Sequence, residues 1–107
     1  RDDDLVFRIG GDEFALLLRS GDPARASAVL DRLRLGWNAR AAERGWPVTL
    51  SVGVARCDGN ADALVNAADG AMYRAKRSGG DRVLVAEGPH ADASPGARVE
   101  LGARTDL

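Results

Sequence analysis

Asp12 and Glu13 are adjacent carboxylates, preceded by Gly10 and Gly11 and followed by Phe14. A Gly-Gly pair lets the backbone take positive φ, as a tight hairpin turn requires, and leaves no side chains to block a bulky polyanion. Carboxylates are hard oxygen donors; hard oxygens suit magnesium, and magnesium suits nucleotide phosphates. Leu5-Val6-Phe7-Arg8-Ile9 on one side and Ala15-Leu16-Leu17-Leu18 on the other read as antiparallel strands. The two carboxylates are therefore expected at the tip of a hairpin. Its chemistry would be metal-assisted work on phosphates.

The rest of the chain supplies elements that could position such a tip. Asp22 is a plausible N-cap with Pro23 at the first helical position. Ala26, Val29, Leu30, Leu33 and Trp37 recur at helical steps and predict one apolar stripe that covers a sheet. Gly45 ends that helix and Trp46-Pro47 turns the chain. Val48, Leu50, Val52 and Val54 then alternate with Thr49, Ser51 and Gly53 as in a strand. After Cys57-Asp58-Gly59-Asn60, a second helix has Leu64, Val65, Ala68, Met72 and Ala75 as its stripe. Gly79-Gly80 stops it before a short strand, Arg82 to Ala86. From Gly88 the composition shifts to Gly, Ala, Pro, Asp and Arg, so residues 87–107 read as a disordered tail and residues 1–86 as the folded part. Strand, strand, helix, strand, helix, strand predicts an α+β or α/β arrangement, a mixed sheet with helices packed on it.

Bulk properties exclude several classes. The 107 residues make one domain at most, and the start, directly in an apolar strand without methionine, reads as a piece of a longer protein. Fifteen Lys and Arg against sixteen Asp and Glu give a net charge of −1, which provides no basic field for nucleic acid. Nothing resembles a transmembrane span, so no membrane contact is expected in this segment. Cys57 is the only cysteine, which favours a reducing, cytoplasmic setting. The single histidine, His90, lies in the tail, so histidine catalysis and a Cys/His zinc site are poor readings. Trp37, Trp46 and Tyr73 read as packing residues.

Arg8-Ile9-Gly10-Gly11-Asp12-Glu13-Phe14 resembles the motif that names the GGDEF family of diguanylate cyclases. Val48 to Ala55 resembles the family's later core strand, and Ala68 to Gly79 its closing helix and glycine turn. The likeness implies a sheet similar to those of nucleotide cyclases and polymerase palm domains. The family's first strand, with its metal-binding aspartate, and the helix after it are missing here and would lie upstream of Arg1.

The resemblance also implies a reaction. Two GTP molecules condense into cyclic di-GMP, each ribose 3′ oxygen attacking the other nucleotide's α-phosphate as pyrophosphate leaves, with Mg2+ (or Mn2+) stabilising the attacking and leaving oxygens. Carried over, Asp12 is a metal ligand that can help deprotonate the attacking hydroxyl, and Glu13 a second ligand or orienting group. Successive strand residues point to opposite faces, so both share one ion only if the turn distorts that alternation; their division of roles stays open. Gly10 and Gly11 would admit the nucleotide, and Lys76 would reach its terminal phosphates. The family often has arginine where this chain has Gly80, and asparagine where it has Asp81; Arg82 could replace the arginine only if the loop bends.

Arg1 and Asp4 match the family's RxxD product site, at which cyclic di-GMP inhibits the enzyme. Catalysis would need a homodimer, each subunit presenting one GTP. The parent protein could be membrane-tethered or fused to a sensor domain, and the fragment alone is expected to be inactive. Two alternatives stand beside the enzyme: a catalytically silent GGDEF module that binds GTP or cyclic di-GMP as a regulatory receptor, and a cyclase making a cyclic mononucleotide.

Overall fold

The computed structural model describes residues 5–8, 13–17, 23–56, 61–86 and 95–103. Its elements are β1 (Leu5–Arg8), β2 (Glu13–Leu17), α1 (Pro23–Arg44), β3 (Val48–Arg56), α2 (Ala61–Arg77), β4 (Arg82–Val85) and β5 (Pro95–Ala103). The strands form one sheet in the order β1-β2-β5-β3-β4. β3 and β4 are parallel, joined through α2, and every other neighbouring pair is antiparallel. This is the mixed sheet with packed helices that the alternation of periods predicts.

β3 is buried along both faces, and its sequence explains how. Leu50, Val52 and Val54 cluster with Ala26 and Leu30 of α1, with Val83 and Trp37 beside them. Alternate strand residues face opposite sides. The other face carries Ser51, Gly53 and Ala55, and Ala55 packs with Ala68, Ala71 and Ala86. At Gly53 a Cβ would lie 2.0 Å from the carbonyl oxygen of Ala68 and 2.3 Å from the amide nitrogen of Met72. Small residues therefore let α2 sit directly on the strand while large ones fill the space under α1. Each fully buried valine or leucine contributes about 1.5–3 kcal/mol relative to exposure.

Both helices end in the same way. Trp46 N–H donates to Ala41 O at 2.9 Å and Gly45 N–H to Ala42 O at 3.3 Å; Gly80 N–H donates to Ala75 O at 2.9 Å and Gly79 N–H to Lys76 O at 3.2 Å. These are Schellman closures, with Gly45 and Gly79 at the positive-φ position. Trp46 then turns back onto Trp37, ring centroids 6.0 Å apart, and Trp37 Nε1–H donates to Val48 O at 2.9 Å. Trp37 thus packs the α1–β3 corner against the core, and Trp46 covers its rim while staying 44% exposed.

Five expectations need correction. Val29 and Leu33 do not join the core stripe of α1; they are 50% and 53% exposed, because the sheet meets the Ala26, Leu30 and Ala41 side of the helix. On α2, Val65 is likewise exposed, and Tyr73 is exposed rather than packed, its ring lying under the Arg77 guanidinium at 5.8 Å. β2 begins at Glu13, earlier than the expected start at Ala15. The largest difference concerns the tail. Composition predicts no regular structure over 87–107, yet Pro95–Ala103 is a strand in the interior of the sheet. Backbone pairing to β2 and β3 on its two sides supplies what its own residues do not.

Candidate functional site

β1 and β2 form the antiparallel hairpin that the motif requires, in the register Leu5↔Leu17 to Arg8↔Phe14. That register leaves residues 9–13 as the connection. Glu13 opens β2 opposite Glu100 of β5. Gly10, Gly11 and Asp12 lie outside the described residues, as do Arg1 and Asp4 of the expected product site. Among the described residues no group of three or more His, Cys, Asp or Glu comes together to hold a metal ion. The donor set with the right chemistry is the Asp12-Glu13 pair, hard oxygens that suit Mg2+ but make up only part of its six-ligand shell.

Lys76 lies in the last turn of α2, exposed, among Arg74 and Arg77. Basic residues there also complement the helix C-terminus. The turn that follows has three consecutive positive-φ residues, Gly79 (φ 121°), Gly80 (φ 70°) and Asp81 (φ 52°). Asp81 occupies a backbone region that aspartate and asparagine tolerate better than most residues. An aspartate is therefore tolerated at this place in the turn.

Asp81 is also an anchor that the sequence did not reveal. Arg34 Nη1 donates to Asp81 Oδ1 at 2.8 Å and to its backbone oxygen at 3.2 Å, and Asn38 Nδ2 donates to the same Oδ1 at 2.8 Å. Arg34 Nε also donates to Asp31 Oδ1 at 2.9 Å. Burial pulls the Arg34 pKa down, but hydrogen bonds to the Asp81 and Asp31 carboxylates and their charges outweigh it, so the net shift is upward. The network ties α1 to the turn behind Lys76. Only the positive-φ tolerance of Gly-Gly-Asp could have marked this turn in the sequence; the partner 47 positions away could not be read.

Arg82 curls back over the same turn. Its Nε donates to Gly80 O at 3.0 Å, and a Cβ at Gly79 would sit 2.9 Å from its Nη2. The Arg82 guanidinium is thus held against the backbone of the turn. Among the described residues no helix is long and apolar enough to cross a membrane.

The described residues thus combine a strand hairpin on a mixed sheet with a basic helix end and a glycine turn. Residues 1–82 match the family model described as "Diguanylate cyclase, GGDEF domain". The chain belongs to the GGDEF family. It is 43% identical over 89 residues to diguanylate cyclase DgcM of Escherichia coli K12, covering 80% of this chain and 22% of that protein. It is 38% identical over 91 residues to diguanylate cyclase DgcP of Pseudomonas aeruginosa, covering 80% and 14%, and 36% identical over 89 residues to diguanylate cyclase DosC of E. coli K12, covering 78% and 19%. The chain thus spans between 14% and 22% of the length of these relatives. No solved structure matches it.

Proposed function

We propose that the protein carrying this chain is a diguanylate cyclase, condensing two GTP into cyclic di-GMP with release of two pyrophosphates. One observation carries the reading: Gly10-Gly11-Asp12-Glu13-Phe14 is intact, between two strands paired as a hairpin, inside the family-matched stretch. Asp12 and Glu13 would hold Mg2+ or Mn2+, which stabilises the attacking and leaving oxygens in an in-line displacement. Gly10 and Gly11 admit the nucleotide, and Lys76 offers a point charge to its terminal phosphates. Two such sites face each other in a homodimer, because each 3′ oxygen must meet the other nucleotide's α-phosphate. Arg1 and Asp4 bind the product and restrain turnover. On this reading the domain faces the cytoplasm, and its sheet is of the palm-like, nucleotide cyclase kind.

In the parent protein, Asp12→Ala should lower cyclic di-GMP synthesis by about a thousandfold or more, since removing a ligand disrupts the metal on which the displacement depends. Turnover within a fewfold of the parent would overturn the assignment. Arg1→Ala should leave the initial rate unchanged and raise the product concentration needed for inhibition. The 107 residues alone should give no cyclic di-GMP with GTP and Mg2+, as two carboxylates are fewer than a two-ion site needs. A second reading, a silent module that binds GTP or cyclic di-GMP as a receptor, is favoured by Gly80 and by the engagement of Arg82 with Gly80 O. Binding of cyclic di-GMP by the parent without any turnover would select it.

A further inference from the structure

Asp81 is the only acidic residue between Gly70 and Ala86, a stretch that carries Arg74, Lys76, Arg77 and Arg82. The turn brings its charge close to the end of α2. Gly79 N–H donates to Lys76 O at 3.2 Å and Gly80 N–H to Ala75 O at 2.9 Å, so the chain folds back on the helix end and Asp81 follows directly. A carboxylate there opposes what the basic helix end attracts. Its repulsion of a polyanion grows with each negative charge the polyanion carries.

The structure compensates this charge from another element. Arg34 of α1 places Nη1 2.8 Å from Asp81 Oδ1 and also donates to Asp81 O at 3.2 Å. Side-chain exposure is 14% for Arg34 and 37% for Asp81, so the pair is partly withdrawn from water and is screened less than a surface pair. Asp31 shares the guanidinium at 2.9 Å but is 47% exposed and lies three residues back along α1, away from the turn. A tie that served only to hold α1 against the turn does not need an ion pair. Asn38 Nδ2, a neutral donor, already reaches the same Oδ1 at 2.8 Å.

We propose that Arg34 is a charge-compensating residue of the phosphate site: by neutralising Asp81 it keeps the Lys76 end of α2 attractive to a nucleoside triphosphate, which rests on the reading of Lys76 as the contact to the terminal phosphates. Arg34 acts through Asp81 and does not touch the nucleotide. Its contribution is therefore to affinity, with the chemical step left alone.

The test is equilibrium binding to the parent protein, with Mg2+, of a GTP analogue whose α- and β-phosphorus atoms are bridged by methylene, so that pyrophosphate cannot leave. Ionic strength is held at about 0.01 M, where the screening length is about 30 Å. Arg34→Gln leaves Asp81 uncompensated and should weaken binding about threefold to tenfold, the effect of one charge roughly 10 Å from a polyphosphate. Asp81→Asn leaves Arg34 an acceptor and a net positive charge, and should tighten binding by a similar factor. In Arg34→Gln/Asp81→Asn the pair is neutral again, and affinity should return to that of the parent. These differences should fall to within about twofold at about 1 M ionic strength. In turnover of GTP the same variants should move KM with kcat unchanged, as loss of uniform binding does. A purely mechanical tie predicts no tightening in Asp81→Asn and a double variant at least as weak as Arg34→Gln. Either of those results, or unchanged binding in Arg34→Gln, would overturn the charge role. Asp81→Asn retains the guanidinium and its acceptor, so it decides the matter even where Arg34→Gln fails to fold. Lys76→Met separates this inference from the reading beneath it. Unchanged binding there would overturn both, whereas weaker binding there with no response to the Arg34 and Asp81 substitutions would overturn the charge role alone.

Discussion

β3 and β5 are each nine residues long and lie side by side in the sheet interior, paired from Val48↔Ala103 to Arg56↔Pro95. They arrive there by different routes. β3 has large apolar residues on one face and small ones on the other, and each set matches the helix above it. β5 has no such pattern and takes its extended form from the two edges beside it. A strand can therefore be dictated by its own side chains or by its neighbours' unpaired backbone, and only the first kind announces itself in a sequence.

Substitutions can break or sharpen this contrast. The largest effect is expected at Gly53, where the α2 backbone leaves no room for a side chain: Gly53→Val should cost more than about 4 kcal/mol or prevent folding. Urea denaturation reads the loss, and a near-native midpoint would mean that α2 does not sit directly on β3. Next is Val99→Pro, which removes an interior-strand N–H and should cost about 3 kcal/mol. Hydrogen exchange should then rise on the β2 and β3 edges while α1 and α2 stay protected. Uniform loss everywhere would erase the proposed distinction between a self-specified strand and a borrowed one.

Asp81→Ala should cost about 2 kcal/mol, by stripping Arg34 and Asn38 of their shared acceptor and straining a positive-φ position. Asp81→Asn keeps an oxygen acceptor and the backbone tolerance, so it should recover most of that loss. Equal midpoints for the two variants would remove Asp81 from its anchoring role. The smallest effect is a gain: Gly102→Thr should stabilise the chain by up to about 1 kcal/mol, because glycine in a strand interior weakens it. A clear loss there would mean that the β5 sequence is fitted to its slot after all.

Much of the fold was legible because local chemistry and tertiary placement agreed. Pro23 does open α1, Gly45 and Gly79 do close the helices, and the Val48 to Val54 alternation does mark β3. The strands flanking the motif pair as a hairpin for the same reason. Partition along α1 was not legible: Val29 and Leu33 follow the same helical steps as Leu30, and only the position of the sheet decides which are covered. Of the candidate site, the sequence supplied Asp12, Glu13, Gly10, Gly11 and Lys76, along with Arg1 and Asp4. It did not supply the Arg34–Asn38–Asp81 tie behind Lys76, because hydrogen bonds between residues more than 40 positions apart leave no local pattern.

The residues alone determined the family, the helix limits and the carboxylate pair, since each rests on contiguous side chains or on backbone freedom at particular glycines. The tertiary structure decided which helix faces are buried, that Ser51, Gly53 and Ala55 form the seat of α2, and that Pro95–Ala103 joins the motif hairpin to the core. Those outcomes depend on surfaces and hydrogen-bonding edges that exist only once distant segments have come together.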